Sequence, residues 1–149
     1  MATFSSDICS RNIIPSTSAG AGVIVNQAGT VSIPNTHAAN DIIKLCKLPK
    51  FCLVRDFKLA LDELDTNASA TLTYTVGVLD SAGTGIVSGT ELIVGGTSSA
   101  IGVQAMNVPN GIKNIGADDE DRIIAMKITN VAATKAAGTA VGLLSYVSE

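Results

Sequence analysis

The side chains that most often carry catalysis are scarce in this chain. Its single histidine, His37, lies in a polar stretch and is interpreted as an exposed loop residue. Acyl-transfer triads and most general-base schemes depend on a histidine. The spacing of the carboxylates leaves glycoside hydrolysis open, but two Tyr and no Trp provide little of the aromatic platform that sugar sites use. We therefore predict that the protein is not an enzyme.

The three cysteines, Cys9, Cys46 and Cys52, predict neither a metal site nor a disulfide framework. Their number is odd and no C-x-x-C pair occurs, so zinc ligands at the usual spacing are missing. Cys46 and Cys52 are interpreted as small buried hydrophobic residues. The acidic stretches 62–65 and 118–121 lack the spacing of a calcium loop and are interpreted as solvated turns. No metal and no cofactor are expected.

Charge and hydropathy exclude two classes of partner. Ten basic and 13 acidic residues leave a net charge of −3, which does not suit a protein that binds nucleic acid by neutralising phosphates. The glycine-rich stretches 83–85 and 95–96 lack the lysine and helix of a phosphate loop. No apolar run approaches the roughly 20 residues of a membrane helix, and residues 1–22 do not resemble a secretion signal. We expect neither nucleic acid nor a membrane as partner.

Alternating apolar residues indicate the strands that build the rest of the molecule. Apolar and polar side chains alternate along 51–61, 70–79, 122–130 and 138–147, as they do in strands with one buried face. The residues predicted to point inward are Phe51, Leu53, Phe57, Leu59, Leu61, Leu72, Tyr74, Val76, Val78, Ile124, Met126, Ile128, Val141 and Leu143.

The strand count predicts an all-β fold. Turn residues recur every 8–12 residues or so, which is typical of a β-sandwich or barrel. We predict about seven to nine strands and little helix. Residues 26–29 are predicted to form a hairpin loop between two short strands, and 86–117 to hold short strands with at most one helical turn.

The chain is divided into an N-terminal arm and one domain. Residues 1–22 are rich in Ser, Thr, Gly and Ala and predict a flexible arm, followed by a β-sandwich domain at 23–149. Between Ile86 and Ile112 the only charged residue is Glu91, so this stretch is a candidate for contact with other subunits. The candidate contact residues are Phe4, Ile8, Ile13 and Ile14 in the arm, and Ile93, Val94, Ile101 and Val103 in the domain.

Three groups of segments carry a resemblance to a known family. They are Ala39–Lys44 with Leu48–Lys50, Asp62–Asn67 with Val76–Asp80, and Asp121–Ile124 with Gly138 and Leu144–Val147. In order and spacing these segments, spread over residues 38–148, resemble the pattern of the head decoration, or cement, proteins of tailed bacteriophages.

The resemblance implies a function as well as a fold. It implies a jelly-roll sandwich that forms a homotrimer, binds the major capsid protein on the outside of the shell and stabilises it, with no catalytic residues. The protein would then be made in the host cytoplasm and end on the virion exterior. The alternative is a phage fibre or head-appendage module that contacts host surface glycans.

Overall fold

The computed structural model describes residues 1–11 and 23–148, and these residues form two β-sheets packed face to face. The elements are β1 (Thr3–Ser5), α1 (Asp7–Ser10), β2 (Ile24–Ile33), β3 (Ile42–Leu48), β4 (Cys52–Leu61), β5 (Thr73–Val78), β6 (Ile93–Thr97), β7 (Gly102–Ala105), α2 (Asn110–Asn114), β8 (Arg122–Asn130) and β9 (Gly138–Ser148). The prediction of an all-β sandwich with about seven to nine strands and little helix is confirmed.

The strand order is that of a jelly roll. One sheet has the order β1-β3-β8-β5-β6 and the other the order β2-β9-β4-β7. The pairs β2–β9, β3–β8, β4–β7 and β5–β6 are all antiparallel. The eight strands from β2 onward therefore form one long folded hairpin that rolls into two sheets, which is the double-sheet arrangement of jelly rolls.

Two glycines allow the sheets to approach closely at one side of the core. Gly29 of β2 lies opposite Gly142 of β9 in the four-stranded sheet, and both face Leu45 of β3 in the other sheet. A Cβ atom on Gly29 would lie 1.8 Å from the Leu45 carbonyl oxygen, and one on Gly142 would lie 2.9 Å from the Leu45 Cβ. Any larger residue at Gly29 would therefore force the backbones apart.

The N-terminal residues belong to the larger sheet. β1 pairs in parallel with β3, with Phe4 opposite Ile43, and the ring of Phe4 packs against the core. The buried Ser6 hydroxyl donates to the Leu45 carbonyl at 2.7 Å and also caps α1 by accepting from the Cys9 amide. Within the predicted arm at 1–22, the first residues are thus fastened to the domain; residues 12–22 lie outside the described part.

The predicted hairpin loop at 26–29 is wrong. β2 runs without interruption from Ile24 to Ile33, and each of its residues has a partner in β9. The loop was predicted from Asn26 and Gly29, which are typical turn residues. Ten consecutive pairs with a long neighbouring strand outweigh this local preference, since β-propensity depends strongly on tertiary context.

Four of the residues predicted to point inward do not. Leu143 is 40% exposed and Val141 half-buried, because β9 turns the opposite face, with Ala140, Leu144 and Tyr146, toward the core. Leu53 is half-buried because the register of β4 shifts between Val54 and Asp56, and Phe51 is exposed in the turn before β4. One extra residue in a strand moves every preceding side chain to the other face. The other ten are buried.

Candidate interaction surfaces

His37 is buried, which corrects its interpretation as an exposed loop residue. Its Nδ1 lies 2.9 Å from the Pro34 carbonyl oxygen, within the connection between β2 and β3. In residues 1–11 and 23–148 no three His, Cys, Asp or Glu side chains are grouped as a metal site would require. No helix of this part of the chain is long and apolar enough to cross a membrane.

Cys46 and Cys52 are buried, as predicted, and their surroundings make them poor nucleophiles. Burial raises the pKa of the Cys46 thiol to about 12, and the thiol donates to the Gly142 carbonyl at 3.3 Å. Burial also raises the pKa of Cys52. Since the thiolate is the reactive form, both cysteines serve as packing residues between the sheets.

Asp65 is a buried carboxylate, which corrects its interpretation as part of a solvated turn. Burial alone would raise the pKa of Asp65, but hydrogen bonds from backbone amides outweigh it and hold the pKa well below its usual range. The amides that donate to the two carboxylate oxygens are those of Asn67, Thr71, Leu72, Ala133 and Thr134. The carboxylate thereby joins the loop before β5 to the loop between β8 and β9, and its function is structural.

The turn between β3 and β4 presents an aromatic ring to solvent. Phe51 has a φ of +57° and is 51% exposed. A bulky residue in this left-handed region costs about 1–2 kcal/mol relative to the usual backbone. The Lys50 ammonium lies over the Phe51 ring, 5.6 Å from the ring centre.

Backbone hydrogen bonds hold this turn in place. The Phe51 amide donates to the Asp118 carbonyl at 2.7 Å, and the Lys50 amide donates to Asp121 Oδ1 at 3.0 Å. Asp121 Oδ2 also lies 2.9 Å from Lys47 Nζ, and this contact, together with the Lys50 amide, holds the pKa of Asp121 below its usual value. The strained conformation of Phe51 is therefore imposed by the loop 117–121 and not by the Phe51 side chain.

A second exposed apolar area lies at one edge of the four-stranded sheet. We call it the β7 surface and define it by Ala60, Ile101, Val103, Val141 and Leu143. Ala60 lies opposite both Val103 and Val141 in the strand register, so their side chains share the outer face of the sheet. Ile101 is 77% exposed and Val103 is 64% exposed.

At the edge of the other sheet, the terminal strand β6 is partly covered by a side chain. Asn107 uses its side chain as a substitute for a neighbouring strand: its Oδ1 accepts from the Val94 amide at 2.9 Å and its Nδ2 donates to the Val94 carbonyl at 2.8 Å. This covers part of the β6 edge, whereas β7 is the terminal strand of its sheet. A terminal strand with exposed apolar side chains is suited to pairing or packing with another chain.

The structure separates the predicted contact residues into three groups. Val94, Ile101 and Val103 are exposed, while Ile93 lies in the core. Phe4 and Ile8 are half-buried on this chain's own domain. Ile13 and Ile14 lie outside the described residues. Sequence reasoning missed Phe51 because its place in the alternating pattern indicated an inward side chain; a turn after Pro49 was the available signal that the pattern ends there.

Comparison with solved structures finds the same fold in chains of phage capsids. The whole fold superposes on a chain in the capsid of Ralstonia phage GP4 with a TM-score of 0.89 and 25% sequence identity, and the match covers 99% of each chain. The chain resembles phage capsid proteins. A chain of the cyanophage Pam1 capsid asymmetric unit is also similar, with a TM-score of 0.62, 25% identity and 92% of each chain covered.

These likenesses confirm the predicted resemblance to phage head proteins and support a structural role in the virion. No family model matches the sequence, and no curated protein matches it significantly. The relationship is thus visible mainly in the fold. With coverage this complete on both sides, the GP4 chain and this one are of nearly the same length.

Proposed function

We propose that this protein is a capsid decoration, or cement, protein that binds the major capsid protein on the outer surface of the shell and stabilises it. The observation that carries the proposal is the superposition of the complete jelly roll on a chain of similar length in a phage capsid. The described residues of this protein form no catalytic site that we recognise, which fits a non-enzymatic component of the virion. It would be made in the host cytoplasm and reside on the virion exterior.

The surface supports a protein that works by association. Only 15% of the residues are charged, and Ile101 and Val103 expose apolar side chains on a sheet edge. Burying such neutral surface against another subunit is favourable by about 25 cal/mol per Å². We propose that the β7 surface joins sister subunits, because symmetric self-association is the common way to cover such a patch, and that the oligomer is the homotrimer implied by the resemblance to decoration proteins.

A trimer would also account for firm attachment to a shell. The three subunits of a trimer would bind three equivalent positions of the shell. Once one subunit is bound, the other two are held at high effective concentration near their sites, so three weak contacts give strong overall binding. Such a protein stabilises the shell because it binds the assembled form and not the separated subunits.

The test is to add purified protein to undecorated capsids of the same phage. We expect saturable binding, measured by co-sedimentation, and a higher melting temperature of the decorated capsids in calorimetry. Capsids that neither bind the protein nor gain thermal stability would contradict the proposal.

The alternative, an appendage that contacts host glycans, has less support from the structure. Both tyrosines, Tyr74 and Tyr146, are buried, and the chain has no tryptophan. A glycan array probed with the purified protein distinguishes the two functions: binding to glycans or host cells without binding to capsids would favour the appendage.

A further inference from the structure

The turn at Phe51 carries a residue that the fold itself does not require. Glycine or asparagine adopts a φ of +57° more readily than phenylalanine does. The turn is held by backbone hydrogen bonds to Asp118 and Asp121, which any residue at position 51 would retain. The exposed ring therefore adds strain and exposed apolar surface without strengthening the turn. Residues kept at such a cost are typical of binding sites.

We propose that Phe51 is the anchor by which each subunit attaches to the capsid shell, its ring entering an apolar pocket of a shell protein. This inference rests on the proposed decoration function. It assigns the contact to the end of the sandwich formed by the β3–β4 turn and the loop 117–121, separate from the β7 surface.

A single ring is too small to form an interface by itself. One phenylalanine ring buries roughly 150–250 Å², whereas stable association of two protein surfaces buries roughly 1,200 Å² or more in total, with a sister subunit and with a shell protein alike. We therefore assign the ring to a pocket, as the central contact residue of a larger contact. In a trimer the same anchor occurs three times.

Charge around the ring indicates the chemistry of the pocket rim. The Lys50 ammonium lies over the ring itself, 5.6 Å from its centre, whereas Asp119 and Glu120 are exposed in the loop beside the turn. Neither carboxylate takes part in the ion pairs found among the described residues. A symmetric contact between two such loops would bring like charges together. A shell protein with Lys or Arg at the rim of the pocket would instead complement them.

The experiment compares Phe51→Gly with the wild-type chain for binding to undecorated capsids. Glycine keeps the backbone conformation, so we expect a Phe51→Gly protein that unfolds at the same or a higher denaturant concentration and keeps its oligomeric mass, but binds capsids at least tenfold more weakly. Val131→Ala is the matched control, since Val131 is an exposed apolar residue at the opposite end of β8, and it should bind normally.

The rim is tested with the double variant Asp119→Asn and Glu120→Gln. We expect capsid binding at least threefold weaker than wild type in low salt, with a smaller dependence on salt concentration. Unchanged binding of this variant would contradict the proposal that Lys or Arg residues surround the pocket of the shell protein.

The remaining outcomes show which of the two proposals, the Phe51 anchor or the decoration function, fails. Wild-type binding together with unchanged binding of Phe51→Gly overturns the anchor and leaves the decoration function intact. A change in oligomeric mass of Phe51→Gly would show that the ring contacts a sister subunit and would overturn the shell pocket. Wild-type protein that does not bind capsids overturns both proposals.

Discussion

Some residues stabilise the fold, and others are exposed on its surface, where they can contact a partner. Asp65 and Asp119 are both acidic loop residues, but Asp65 is buried among backbone amides and Asp119 is exposed. Burial of a charge is tolerated only when hydrogen bonds replace water, and the amides around Asp65 meet this condition. We therefore expect substitutions at Asp65 to affect stability and those at Asp119 to affect association.

Asp65→Asn should lower the free energy of unfolding by about 3 kcal/mol at pH 7, because an amide NH₂ group would face backbone donors that then lose their acceptor. Denaturant unfolding measures the loss, with Asp119→Asn as the control that changes little.

The pH dependence of the same variant gives an independent check. The pKa of Asp65 is lowered in the folded state, so its stabilisation is complete above the unfolded value of about 3.9 and is lost as the pH falls through the lower, folded value. The stability difference between wild type and Asp65→Asn should be constant above about pH 5 and shrink in acid. A difference that grows in acid would contradict this assignment.

Two leucines on paired strands test the assignment of faces. Leu59 on β4 is fully buried, whereas Leu143 on β9 is 40% exposed. Leu59→Ala should cost about 2–5 kcal/mol of unfolding free energy, the range for a buried leucine, and Leu143→Ala should cost less than about 1 kcal/mol. Equal losses in denaturant unfolding would show that β9 does not present the face described above.

At the scale of elements, the N-terminal strand changes what a truncation should do. β1 covers the edge of β3, and Ser6 bonds to Leu45. Without it, the buried Ile43 and the backbone of β3 would meet solvent. A deletion that includes residues 3–5 removes this strand pairing, which belongs to the domain.

Deleting residues 2–11 should therefore lower the melting temperature of the domain by at least about 3 °C, as a loss of 1 kcal/mol or more would do in a chain of this size. Differential scanning calorimetry measures the change. Ser5→Ala is the control, because Ser5 is exposed at the end of β1. An unchanged melting temperature would mean that β1 is only loosely attached.

At the scale of the molecule, the β7 surface and the Phe51 turn lie in different places. The β7 surface lies on a flat sheet edge that can pack against an equivalent edge, and Phe51 lies on a turn at the end of the sandwich. A decoration trimer needs contacts of both kinds, one among sisters and one toward the shell. Separating them allows substitutions to affect one association without the other.

Val103→Lys should dissociate the proposed trimer, because the exposed Val103 lies on the edge strand of the β7 surface and a lysine there adds a charge to an apolar contact. We expect size-exclusion light scattering to show trimers of the wild type and monomers of the variant at micromolar concentration. Val87→Lys, an equal change at an exposed loop residue, should leave the trimer intact. A monomeric wild type would contradict the prediction directly.

The sequence by itself determined the fold class and most of the core. Alternation along 70–79 and 122–130 identified β5 and β8, because period-2 burial is a local property that the order of residues records directly. Its segment pattern also indicated the phage head proteins that the comparison of folds then supported.

Only the tertiary structure decided which face of β9 is buried, that 24–33 is one strand, and that Phe51 points to solvent. Each depends on residues distant in the chain. The ten pairs between β2 and β9 make 24–33 one strand, the pairing of β4 with β9 sets the register of both strands, and the hydrogen bond from Phe51 to Asp118 holds the turn. Such partners are brought together by the roll of the two sheets, and local propensity contains no term for them. The exposed surfaces to which we assign the proposed contacts are for this reason a property of the folded chain.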